Sequence, residues 1–325
     1  MMARTQSRPP RRLELAVIVV CYHSDTVLQA CIDALDSAVA ALPSALRCAA
    51  HLVLVANSPV DMVDAFTSGE CTVTALYAGE NLGFAPAVNL GLSAVPDADW
   101  VLLLNPDARL EPDCLKALMS AAIERRAALV GPVLCDEDGV PHGVSERPFH
   151  SVRRELANQL FGATRRRRPY GRRARDTGDA RCLTGACVLV DGPFVRSEGG
   201  LDTEIRMYLE DVMICWQAHQ RGAPVLLAHD ARCVHDMGNS ADGANYASSL
   251  GLHLTLLAAR VAFVRRTAGP VRAAMLRAVI GVGAGLRVVC TRGPRRARHI
   301  AVLAWAVKSG DAPPWQDGPV VRASS

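Results

Sequence analysis

The first apolar run of this chain ends in CYHSD, where a dinucleotide-binding sheet would carry G-x-G-x-x-G. No G-x-x-x-x-G-K-[ST] occurs anywhere in the 325 residues. Dehydrogenase and P-loop chemistry both need a phosphate cradle of that kind, and both are set aside. The nearest glycine cluster, Gly281, Gly283 and Gly285, follows no strand and reads as close helix packing. Aromatic residues make up only 5% of the chain, too few to interleave its arginines as stacking platforms for nucleic acid. No C-x-x-C is present, and eleven cysteines is an odd number. That count reads as reduced thiols serving as small core residues in a reducing compartment, and not as a disulfide framework. No window of about 18 uncharged apolar residues occurs. Arg272, Arg277 and Arg287 interrupt the most apolar C-terminal segment, so no spanning helix is expected. Nor is a signal peptide expected: the basic MMARTQSRPPRR is followed by a short apolar run that reads as a strand, without a small-residue cleavage site.

What is present is half apolar and a fifth charged, as in a folded globular protein. The net charge of +4 hides an asymmetry. Residues 1–12, 151–175 and 251–310 hold 24 of the 36 Lys and Arg against a single acidic residue, Glu155. An acidic body with basic attachments suggests a carboxylate-lined site and contact with something anionic. An anionic membrane surface is the expected partner there, and nucleic acid is not. Short apolar runs read as buried strands at 15–20, 51–56, 73–77, 100–104 and 128–134. Amphipathic helices are expected at 26–42, 85–95 and 112–126, the last starting after Pro112. Such βα repetition predicts a mostly parallel sheet flanked by helices, with ligands at the carboxyl ends of its strands. Residues 150–181, centred on RRRRPYGRRARD, read as a polar loop. A helix is expected at 210–221. From 250 to 308 the chain reads as helical, with one stripe of Leu250, Leu254, Leu257, Val261 and Val264. A second stripe holds Val271, Met275, Val279, Val282, Leu286 and Val289. The expected organisation is a basic tail at 1–12, a catalytic domain at 13–249, basic amphipathic helices at 250–310 and a tail at 311–325.

Three sets of polar residues could carry chemistry. WVLLLNPDA ends a strand in Asn105, Pro106 and Asp107, which suits either a divalent cation bridging a pyrophosphate or plain turn chemistry. Glu210 and Asp211 open the helix of MYLEDVMICWQAHQRG, either capping it through the helix dipole or supplying a general base. His235, after PVLLAHDARCV, is either structural or a metal ligand.

Taken in order, VIVVCYHSD, VLVANS, AGENLGFAPAVNLGL, WVLLLNPDARLEP, LTGACVLV, GGLDTEIRMYLEDVMICWQAHQRG and CVHDMGNS resemble the GT2 family of glycosyltransferases, specifically its bacterial rhamnosyltransferase-like branch. The resemblance runs from about residue 15 to 240. It implies a GT-A fold with a C-terminal helical appendage, an inverting single displacement, and Mg²⁺ or Mn²⁺ held against the donor diphosphate. By position it makes Asp107 and His235 metal-side residues, with Asn105 in the first place of a D-x-D-like motif. It makes Asp211 the base and Glu210 its acidic neighbour. Tyr22, Asn57, Asn81 and Gly83, together with Asn105, are the implied nucleotide-binding residues. The implied donor is a dTDP-sugar such as dTDP-rhamnose, or else a UDP-sugar, and the implied acceptor a saccharide or lipid-linked sugar. The implied location is cytoplasmic, peripheral on the inner face of the membrane. Several positions depart from the family pattern: His23, Ala56 in place of an aspartate that helps hold the base or ribose, Pro86-Ala87-Val88, Met213 and Gln217. They leave open a degenerate protein that binds nucleotide sugar, or a partner, without turnover. A sugar-phosphate nucleotidyltransferase would open with a glycine- and arginine-rich loop after strand one, which CYHSD is not.

Overall fold

The computed structural model describes residues 13–141, 145–161, 178–205, 208–235 and 250–308. Both tails, and the arginine-dense centre of the 150–181 stretch at 162–177, lie outside the described residues. In chain order the strands are β1 (Leu13–Cys21), β2 (Cys48–Ala56), β3 (Thr72–Tyr77), β4 (Trp100–Leu104), β5 (Ala108–Leu110), β6 (Leu129–Cys135), β7 (Glu146–Arg147), β8 (Gly178–Asp179), β9 (Cys182–Leu183), β10 (Cys187–Asp191) and β11 (Val225–His235). The helices are α1 (Asp25–Ala40), α2 (Phe84–Ser93), α3 (Cys114–Arg125), α4 (Val152–Phe161), α5 (Gly192–Ser197), α6 (Glu210–Gln220), α7 (Leu250–Ala268), α8 (Pro270–Cys290) and α9 (Gly293–Val307).

Nine strands form one sheet in the order β3-β2-β1-β4-β10-β6-β11-β5, with β8 beside β11. Strands β3, β2, β1 and β4 run parallel, β10 runs against β4 and β6, and β6 and β11 are again parallel. The architecture is the expected mostly parallel sheet covered by helices. Its central strands read as continuous apolar runs because both faces are buried. Along β1, Ala16, Ile18 and Val20 point into one core. Leu15, Val17, Val19 and Cys21 point into the other, the period of two that a strand imposes. Helices α1 and α3 cover the second face; α2, α5, α6 and the helices after residue 250 cover the first.

Four expectations are corrected. VTALY forms β3 but is not buried: it is the sheet edge, paired only with β2 and partly exposed along its length. Helix α3 begins at Cys114, so Pro112 precedes its first turn. The stretch from 150 is not loop throughout, because 152–161 is helix α4. Its charged sequence hides this, since Glu155 is buried and paired with Arg260 of α7 at 3.7 Å, a contact made only by tertiary packing. Last, α8 is long and apolar enough to cross a membrane by length and composition, its best window reaching a mean hydropathy of 1.7 despite its arginines. A third of that window is buried inside the protein. Gly281 and Gly283 are helix-packing residues as read: a Cβ would come within 3.0 Å of Ala306 and 2.3 Å of Gln159 respectively. None of the eleven cysteines is in a disulfide, and ten are buried. Burial pushes the Cys215 thiol up to about 12.

Candidate active site at the strand ends

Strands β1 and β4 lie side by side at the centre of the sheet, and their carboxyl ends open on one edge. There β1 hands over to Tyr22 and His23. His23 takes a left-handed conformation (φ 51°) and donates its N–H to Asp61 Oδ1 at 2.9 Å. Asp61 is 2% exposed, and its Oδ2 has no hydrogen-bond partner. No motif marks this aspartate, whose only signal in the sequence is its place in the loop after β2. Tyr22 is half exposed, its ring meeting that of His23 edge-on at 4.4 Å.

Asn57, Asn81 and Gly83 come together in one network. Asn57 Nδ2 donates to Asn81 Oδ1 at 3.3 Å, and Asn57 Oδ1 accepts the Leu82 N–H at 3.0 Å. Asn81 Oδ1 also accepts the Gly83 N–H at 2.9 Å. Gly83, at φ 85°, starts α2 in a conformation that a side chain would strain. Asn89, quoted with the same motif, serves the fold instead. Its amide exchanges two hydrogen bonds with the backbone of Leu201, at 2.9 and 2.8 Å.

Asn105, Pro106 and Asp107 do form a turn, closed by the Ala108 N–H on Asn105 O at 3.1 Å. That turn aims the aspartate. Strand β5 follows it and pairs antiparallel with β11, with His235 opposite Ala108. The pairing brings His235 Nε2 to 3.4 Å from Asp107 Oδ1, with both side chains about seven-eighths buried. Among the described residues no group of three or more His, Cys, Asp or Glu could hold a metal. The Asp107 carboxylate suits Mg²⁺ or Mn²⁺ when phosphate oxygens and water complete the shell, and the ring nitrogen beside it is a donor that fits a transition metal such as Mn²⁺ better than Mg²⁺.

Glu210 and Asp211 open α6 after Tyr208 and Leu209, two successive non-glycine residues at φ 64° and 71°. Backbone strain of this kind is concentrated where a side chain must be aimed. Asp211 Oδ1 accepts the Val212 N–H of its own first turn at 2.8 Å. Oδ2 accepts the Gly185 N–H at 2.8 Å and a short hydrogen bond from Arg147 Nη2. Arg147, on β7, was not among the sequence candidates; it lies 64 residues from Asp211 and no motif marks it. Glu210 Oε2 is shut off from solvent with no partner. Burial, and then the charge of Asp211, push the Glu210 carboxyl up to about 8, so it is mostly protonated at neutral pH. Met213 lies in the core. Gln217 Oε1 is buried without a partner. Behind Arg147, burial and the charges of Arg260, Arg147 and Arg154 hold His150 down to about 3, so that imidazole is neutral.

One backbone link joins the two halves of the site. The Asn105 N–H donates to Ala186 O at 2.9 Å, and the neighbouring Gly185 N–H is the donor to Asp211. The carboxylate of α6 is thereby held next to the turn that carries Asp107.

Comparison with known proteins bears on this arrangement. Two curated relatives, from two strains of Mycobacterium tuberculosis and both named N-acetylglucosaminyl-diphospho-decaprenol L-rhamnosyltransferase, are 30% identical over 198 residues. The match takes in 56% of this chain and 64% of theirs, so the chain spans under two thirds of those relatives. Among solved structures, S. aureus TarS residues 1–349 in complex with UDP-GlcNAc aligns with a TM-score of 0.53 at 11% identity, over 90% of this chain and 80% of that one. GalNAc-T7 with UDP, GalNAc and Mn²⁺ aligns at 0.52 and 13% identity, over 70% and 44% of the two chains. These likenesses show the GT-A fold. The family model described as glycosyltransferase like family 2 matches residues 10–248, and the chain belongs to that family.

Proposed function

We propose that the protein is an inverting glycosyltransferase. It moves rhamnose or a similar deoxysugar from a dTDP- or UDP-linked donor to a saccharide or lipid-linked acceptor, as a cytoplasmic protein working at the inner face of a membrane. The observation that carries this reading is the Gly185–Ala186 link, which joins a carboxylate at the start of α6 to the turn bearing Asp107 and its neighbour His235. The rhamnosyltransferase relatives support the sugar, and the diphospho-decaprenol in their name supports a lipid-linked acceptor.

Asp107 and His235 would hold a divalent Mg²⁺ or Mn²⁺, whose chemistry is charge compensation for the departing diphosphate. Asp211 accepts the proton of the acceptor hydroxyl as that oxygen attacks the anomeric carbon. The bond from that carbon to the diphosphate breaks on the opposite face, so the configuration inverts. Arg147 and the Gly185 N–H orient Asp211, because both donate to its Oδ2. Glu210, neutral beside it, adds no second negative charge at the site. Asn57, Asn81, Gly83 and Tyr22 line the nucleotide side. There the unpartnered Asp61 Oδ2 supplies a carboxylate that Ala56 lacks.

Asp107→Ala tests the reading. Transfer, followed by diphosphate release, is expected to vanish. Affinity for dTDP or UDP, measured by isothermal titration, should fall only when Mg²⁺ or Mn²⁺ is present. Near-normal turnover of this variant with the metal chelated would sink the metal-assisted mechanism.

A further inference from the structure

Helix α8 is apolar on two opposite sides, and only one of them is used by the fold. Ala273, Leu276, Ile280, Gly283 and Ala284 are buried against the rest of the protein. The other side carries Val271, Met275, Ala278, Val282, Leu286 and Val289, spaced to form one stripe about 27 Å long with no charged residue in it. The five large residues of that stripe are between 53% and 86% exposed. A continuous apolar face of this size left to solvent marks a contact surface.

Charge says what covers it. Arg265 and Arg272 are exposed near one end of α8, and Arg292, Arg295 and Arg296 at the other. Residues 251–308 contain no Asp or Glu at all. A second copy of this chain, docking face to face, would bring these arginines against one another. An acidic surface would meet them favourably at both ends of the stripe. The helix does not need to cross a bilayer to be satisfied, because its inner side is already packed. Arg277 donates to Trp305 O at 2.8 Å and Ala306 O at 3.1 Å of α9 and stacks over the Trp305 ring, tying the hairpin of α8 and α9 together.

We infer that the outward face of α8 is the surface on which the protein lies on an anionic lipid bilayer, its apolar stripe in the headgroup boundary and its terminal arginines on lipid phosphates. This deepens the membrane-surface reading proposed above, but it rests on the exposed face and not on the chemistry at Asp107 and Asp211. The two can therefore fail separately.

The test uses the full chain and vesicles of phosphatidylcholine with or without phosphatidylglycerol. The parent protein is expected to sediment with the anionic vesicles in a salt-sensitive way, and hardly with pure phosphatidylcholine. The double variant V282D/L286D should lose at least about tenfold in partitioning. R295E/R296E should lose about fivefold per arginine removed. Cys290, the exposed cysteine among ten buried ones, sits at the end of the stripe, and an environment-sensitive dye on its thiol should shift to the blue on anionic vesicles. Unchanged thermal unfolding and unchanged dTDP or UDP titration in both variants show that fold and donor site are intact. Three results would overturn the inference: no binding by the parent, equal binding to neutral and anionic vesicles, or full binding by V282D/L286D. A dimer in sedimentation velocity that V282D/L286D dissociates, without vesicle binding, would assign the face to a second copy instead.

Discussion

Two adjacent carboxylates open α6, and substituting each by its amide separates their roles. Glu210 carries its proton in the folded protein up to about pH 8, because its Oε2 is buried without a partner and Asp211 is charged beside it. In the unfolded chain the same group loses its proton near the ordinary value of 4.5. Between those two values the folded state binds more protons than the unfolded state. Stability from this group is therefore complete below 4.5 and is lost as pH rises through about 8. Each pH unit inside the window costs at most about 1.4 kcal/mol, so the total is on the order of a few kcal/mol. Glu210→Gln mimics the neutral acid and has no such slope. Its melting temperature is expected to match the parent near pH 5 and to exceed it by several degrees at about pH 9, read by scanning fluorimetry at constant ionic strength. Turnover at neutral pH should stay within a few fold of the parent. Asp211→Asn should lose roughly a hundredfold or more in kcat with donor binding nearly intact, the usual scale for a positioned base. Parallel pH–stability curves for parent and Glu210→Gln would refute the protonation argument. A Glu210→Gln variant as inactive as Asp211→Asn would move the base to Glu210.

Arg147→Met removes the cation on Asp211, and its guanidinium is about a third exposed, so a stability loss of about 1–2 kcal/mol is expected in urea denaturation. The same variant should lower kcat with little change in the dTDP or UDP dissociation constant; a purely structural arginine would leave kcat where it was. Asn89→Ala removes both bonds to Leu201 and should cost about 2–3 kcal/mol in the same denaturation experiment. A change below about 0.5 kcal/mol would show that this amide does not hold the segment before α6.

Local sequence determined the central strands, since a strand buried on both faces must be apolar at every position, and LAVIVV, HLVLVA and WVLLL could be little else. At the ends of apolar runs it also marked Asp107 and His235, and through the family resemblance Asn57, Asn81 and Gly83. It could not show that β3 is an edge, which depends on which strand lacks a second neighbour. It could not find helix α4, whose buried Glu155 is met by Gln159 of the same helix and by Arg260, far along the chain on α7. Arg147 and Asp61 were invisible for the same reason: their partners, Asp211 and the His23 N–H, lie 64 and 38 residues away. On α8 the periodicity of the chain defined an apolar stripe but not the direction it faces. The tertiary structure packed the side with Ala273, Gly283 and Ala284, where small residues let helices approach closely, and left Val282, Leu286 and Val289 in the open.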